Sequence, residues 1–84
     1  KNKKGESAVH EAARHKSPRS LKLLLEKGAE VNALDGNGNT PLMIAAFHDA
    51  SECIAVLLEK GAQLDVKNKK GESAVHEAAR HKSP

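Results

Sequence analysis

A chain of 84 residues with 38% hydrophobic residues and Phe47 as its only aromatic has room for one small domain and no core of large side chains. Charged residues make up 30% and leave a net charge of +3, which is compatible with an acidic partner but does not require one. The single cysteine, Cys53, rules out an intramolecular disulfide and points to a reducing compartment, cytoplasm or nucleus, rather than a disulfide-stapled secreted scaffold.

The basic opening Lys1-Asn2-Lys3-Lys4-Gly5-Glu6 is not followed by the apolar stretch of a signal peptide. No apolar run approaches the ~20 residues of a membrane span. A first helix is predicted from Ser7, whose hydroxyl suits the free amides of a first turn, with Val9, Ala12 and Ala13 on one face. A second helix is predicted from Ser17-Pro18, with Leu21, Leu24 and Leu25 as an apolar stripe and Gly28 as a left-handed stop. Val31-Asn32-Ala33-Leu34 reads as extended and runs into the turn Asp35-Gly36-Asn37-Gly38.

The pattern then restarts. Thr40 is the next cap, and Pro41 stands where its missing N–H costs nothing. Leu42, Ala45 and Ala46 form the apolar face of this helix. Asp49 is predicted to cap the following helix, whose stripe is Ile54, Leu57 and Leu58 and whose stop is Gly61. A third start follows at Ser73. Gly5, Gly38 and Gly71 are spaced by 33 residues, as are the pairs Ala12-Ala13, Ala45-Ala46 and Ala78-Ala79, and His15, His48 and His81. A strict period of this length marks a stacked repeat. The expected division is 2–34, 35–67 and a partial unit 68–84, all within one array.

Gly38-Asn39-Thr40-Pro41-Leu42-Met43-Ile44-Ala45-Ala46 followed by Leu57-Leu58-Glu59-Lys60-Gly61-Ala62 resembles the ankyrin repeat, and the resemblance covers the whole chain. It implies an all-α solenoid of stacked antiparallel helix pairs joined by β-hairpin-like loops, serving as a non-enzymatic protein-binding module. There are departures. Ser7-Ala8-Val9-His10 and Ser73-Ala74-Val75-His76 replace Thr-Pro-Leu-His, and Met43 removes an inter-loop donor from the middle unit. Lys16, Asp49 and Lys82 stand where the family prefers Gly between helices.

Lys1–Pro18 and Lys67–Pro84 are identical, at an offset of 66 residues. Structural constraint explains matching framework positions but not matching solvent-facing Lys, Glu, Arg and His. The duplication favours a 66-residue double repeat, engineered or recently copied, over retention for a shared binding task. Open ends suggest head-to-tail self-association through an interface that does not close.

No nucleophile–base pair stands out, so neither catalysis nor a cofactor is expected. The row His15, His48, His81 is too widely spaced for one zinc ion, because neighbouring helices lie roughly 8–10 Å apart. The segment Asp35-Gly36-Asn37-Gly38-Asn39 opens like a calcium loop, but Thr40 and Ala46 stand where that loop needs Gly and Glu. Gly36 and Gly38 make no dinucleotide fingerprint, since Pro41 occupies the third Gly position. The basic tips Lys3-Lys4 and Lys69-Lys70, offset by Glu6 and Glu72 and lacking aromatic neighbours, are a weak nucleic-acid signal.

Phe47, whose counterparts are Arg14 and Arg80, stands at the position that the resemblance places on the concave surface. The candidate partner-binding set is therefore Lys3, Lys4, Glu6, Arg14, His15, Asn37, Asn39, Phe47 and His48, with Lys69, Lys70, Glu72, Arg80 and His81 repeating the first members. Asn32, eight residues after Leu24, is similar to ankyrin asparagines modified by an asparaginyl hydroxylase; a turn-forming role is the simpler expectation.

Overall fold

The computed structural model describes residues 7–76. Four helices follow in order: α1 (Ala8–Arg14), α2 (Pro18–Glu26), α3 (Pro41–Phe47) and α4 (Ser51–Glu59). The links between α1 and α2 and between α3 and α4 are so short that each pair must fold back on itself. The helices form two layers, since α1 packs on α3 and α2 packs on α4. Residues 74–76 begin a further helical turn, with Ala74 in the same buried cluster as Leu42 and Met43. Among the described residues no strand forms; the long loops close as hairpin-like turns instead. In one, Asp35 N–H donates to the Asn39 carbonyl (3.0 Å), and in the other Asn68 N–H donates to that of Glu72 (2.8 Å).

The predicted caps are partly realised. Thr40 Oγ1 accepts from Met43 N–H (3.2 Å), and Pro41 occupies the first helical position. Ser17 stands at the N-cap of α2, but its hydroxyl makes no capping bond. Asp49 is not the cap of α4: that position belongs to Ala50. Asp49 instead has φ 54°, and Lys16 has φ 56°, both left-handed. The reason lies in how the preceding helix ends. Asp49 N–H donates to the Ala46 carbonyl (3.1 Å) and Ala50 N–H to that of Ala45 (2.8 Å), the paired closure of a Schellman turn. Lys16 and Ser17 close α1 the same way, so the backbone must turn left-handed at 16 and 49 whatever side chain stands there.

Burial follows position in the stack. The Ala pairs Ala12-Ala13 and Ala45-Ala46 are buried and let α1 and α3 approach closely. Every residue from Pro41 to Ala46 is buried, because α3 has neighbours on both sides. The α2 stripe is as expected, with Leu21 buried and Leu24 and Leu25 partly so. The α4 stripe is not. Leu58 is 43% exposed, and the buried positions are Leu57 and Cys53. Leu25, the counterpart of Leu58, is partly buried on α2, which packs on α4, and no described second-layer helix follows α4.

Candidate functional site

The described candidates fall into two groups, one at the loop tips and one at the C-terminal ends of α1 and α3. Lys3, Lys4, Glu6, Arg80 and His81 lie outside the described residues, as does Lys82.

The tips are built from side chain to main chain. Asp35 Oδ1 accepts from the N–H groups of Asn37 (2.8 Å) and Asn39 (2.9 Å). Its carboxylate thus folds the loop rather than presenting a cation ligand. Asn68 does the same one period later, its Oδ1 accepting from Lys70 N–H (2.9 Å) and Glu72 N–H (3.0 Å). Being an amide, Asn68 also keeps a donor, and its Nδ2 donates to Asn39 Oδ1 (2.8 Å). Lys69 N–H donates to the Asn37 carbonyl (3.1 Å). Gly38 sits under this contact with φ +77°, and a Cβ there would lie 3.3 Å from Lys69 N. Asn39 therefore lends its side-chain oxygen to the joint between units. The side chains of Lys69 and Lys70 remain exposed at the tip.

A second joint is made by His10, which the composition of the tips does not reveal. Its Nδ1 accepts from Ser7 N–H (3.1 Å) and lies 2.9 Å from Ser7 Oγ. A main-chain N–H can only donate, so Nδ1 carries no proton. Nε2–H then donates to the Asn39 carbonyl at 2.9 Å. The ring is wholly buried, and one neutral tautomer satisfies both nitrogens. Asn32 Oδ1 accepts from Gln63 N–H (2.9 Å), so the Asn32 amide also ties one unit to the next.

At the helix ends, Arg14 and Phe47 share one repeat position, as do His15 and His48, on the two neighbouring helices α1 and α3 and their C-caps. Phe47 is 50% exposed at the end of a helix that is otherwise buried. Its ring meets that of His48 edge to face, with centroids 5.1 Å apart. His15 Nε2 lies 3.9 Å from Glu11 Oε1 on an exposed helix flank. Together these residues offer an apolar ring bordered by groups able to hydrogen-bond.

Nothing in this arrangement activates a nucleophile. Cys53 is buried, and burial, with a smaller contribution from Glu52, pushes its thiol above the usual value, so it stays protonated at neutral pH. Among the described residues no group of three His, Cys, Asp or Glu is placed to hold a metal ion, and no helix is long and apolar enough to cross a membrane.

Stacked helix pairs, left-handed closures after each helix and a polar ladder between loops define a helical repeat solenoid. Residues 9–84 match the family model for ankyrin repeats (3 copies), and the chain belongs to the ankyrin repeat family. A fowlpox virus (strain NVSL) ankyrin repeat protein, FPV230, is 41% identical over 44 residues. Those residues are 52% of this chain and 23% of the viral protein, so the chain spans less than a quarter of that relative. Ankyrin repeats are generally protein–protein interaction modules.

Proposed function

We propose that this chain is a non-enzymatic module, working in the cytoplasm or nucleus, that binds a protein partner through its helix ends and loop tips. The observation that carries this reading is the half-exposed Phe47, held edge-on by His48 where every other residue of α3 is buried. An aromatic anchor bordered by Arg14, His15 and His48 has the composition of an interface hot spot. Lys69 and Lys70 at the tip, and the net charge of +3, favour an acidic rim on the partner. The test is Phe47→Ala, with a captured partner identified and titrated by calorimetry. Affinity is expected to fall about tenfold or more, with the helical circular dichroism unchanged. Unchanged affinity with an intact fold removes Phe47 as the anchor.

A second reading rests on the identity of Lys1–Pro18 and Lys67–Pro84. On that reading the chain is a duplicated or engineered array, a scaffold whose units serve stacking and which has no natural ligand. A saturable partner whose binding depends on Phe47 would rule it out.

A further inference from the structure

Asn37-Gly38 is the one place in the sequence where an asparagine precedes a glycine; the other asparagines precede Lys, Ala or Thr. The backbone makes that glycine necessary. Gly38 has φ +77°, and a Cβ there would lie 3.3 Å from Lys69 N. A glycine nitrogen is also the least hindered nucleophile toward the side chain before it. It can attack Asn37 Cγ, forming the N–Cγ bond of a five-membered cyclic imide. The Cγ–Nδ2 bond breaks, and ammonia leaves with the proton of the Gly38 amide. Water then opens the ring. Cleavage of the new N–Cγ bond leaves aspartate. Cleavage at the main-chain carbonyl leaves isoaspartate, with the chain continuing through Cγ. Reactions of this kind make asparagine a thermolabile residue.

With the tips closed, the peptide unit that must react is pinned at both ends. Gly38 N–H donates to the Asp35 carbonyl (3.0 Å), and the Asn37 carbonyl accepts from Lys69 N–H (3.1 Å). Neither Gly36 nor Asn37 has a positive φ, so the turn 35–38 is of type I, with ψ of about 0° at Asn37. Ring closure requires the Gly38 nitrogen to swing over Asn37 Cγ. That rotation turns the whole 37–38 peptide and breaks both bonds. Asn37 N–H is held too, by Asp35 Oδ1 (2.8 Å), so the turn cannot follow the rotation. Asn37 is exposed, and water reaches the ring once it forms.

We propose that Asn37-Gly38 is a self-modification site gated by the joint between the second and third units. The substrate is the protein's own side-chain amide, and the co-reactant is water. While the tips touch, the amide is inert. When Asn68 and Lys69 part from the 35–39 loop, the 37–38 peptide can turn and the imide forms. Opening is thereby recorded covalently, because the lost ammonia is not regained on reclosing. Isoaspartate adds a methylene to the main chain just before Gly38 and Asn39. Asn39 is then displaced from the points where its side-chain oxygen meets Asn68 Nδ2 and its carbonyl meets His10 Nε2–H. Both joints share that residue, so one reaction at a loop tip loosens the stack on both sides. The site acts as a timer whose rate follows the opening of the tips. This inference does not rest on the reading of Phe47.

The test incubates the 84-residue chain in neutral buffer, folded and unfolded in urea. Mass spectrometry follows each asparagine from amide to acid and places the change by fragmentation. In urea, Asn37 is expected to convert ahead of Asn32, Asn39 and Asn68. In the folded chain its conversion is expected to be at least about tenfold slower than in urea. Asn68→Asp keeps the acceptor that folds its own turn, as Asp35 does one period earlier, but loses the donor to Asn39. It is expected to raise the folded rate about fivefold. Leu21→Val loosens the buried core at α2 and is expected to change that rate by less than about twofold. Converted chain is expected to have lost hydrogen-exchange protection at the Lys69 amide. Failure of Asn37 to convert first in urea overturns the site. Equal rates in folded and unfolded chain overturn the gate. A larger acceleration by Leu21→Val than by Asn68→Asp makes global unfolding the route and also overturns it. Converted chain that keeps Lys69 protected overturns the loosening of the joint.

Discussion

The two joints of this stack use different chemistry in equivalent places. Between the first and second units the described residues place a buried imidazole, His10, bridging Ser7 and the Asn39 carbonyl, alongside the exposed bond from Gln63 N–H to Asn32 Oδ1. Between the second and third, the position of His10 is held by Met43, which is buried and has no donor. There the described bonds lie at the tips, where Asn68 reaches Asn39 and Lys69 N–H reaches the Asn37 carbonyl. The His10 bond is dry and leaves unsatisfied groups if broken. The second joint is partly wet, and water can replace what is lost. The same loop geometry therefore carries joints of unequal cost.

His10→Ala attacks the dry bond. It removes a buried ring and leaves Ser7 N–H without its acceptor, and is expected to cost about 2–3 kcal/mol in urea unfolding. Asn68→Ala attacks the wet joint. It removes the bond to Asn39 and the turn bonds to Lys70 and Glu72, but water reaches these groups, so the expected cost is about 1 kcal/mol. If Asn68→Ala proves the costlier, the dry-against-wet distinction fails. The smallest effect is a gain. Lys16→Gly relieves a left-handed lysine and is expected to stabilise by up to about 1 kcal/mol, less the backbone entropy of glycine. Asp49→Gly should gain less, because Asp tolerates that conformation better than Lys. Equal shifts in thermal midpoint would show that the side chain does not matter there.

Most of the fold was legible because the repeat states it more than once. Thr40-Pro41 marks a helix start, the Ala pairs a close helix contact, and Leu-Leu-Glu-Lys-Gly-Ala a helix end, all in phase. The left-handed backbone at positions 16 and 49 fits the glycine that the family prefers there. Other features were not legible. Asp49 looked like a cap because Asp commonly is one, yet the closure of α3 claims its backbone first. Leu58 looked buried because it continues a stripe, but a stripe shows which face is apolar and not whether a neighbour covers it. Asn39 was expected at a binding surface and Asn32 in a turn, and the bonds that their side-chain oxygens make to the next unit come in addition to those readings. Contacts between residues 29 to 31 apart leave no local pattern in one sequence.

The complete burial of Pro41–Ala46 has a kinetic meaning. Helices at the ends of a stack can open by parting from one neighbour, but α3 can open only if both sides release it. Its amides should therefore exchange with solvent at higher free energy than those of α2 and α4, which are each only partly buried. The rarest opening among the described helices is then that of α3, and its exchange reports on the packing that holds its unit between the neighbouring ones.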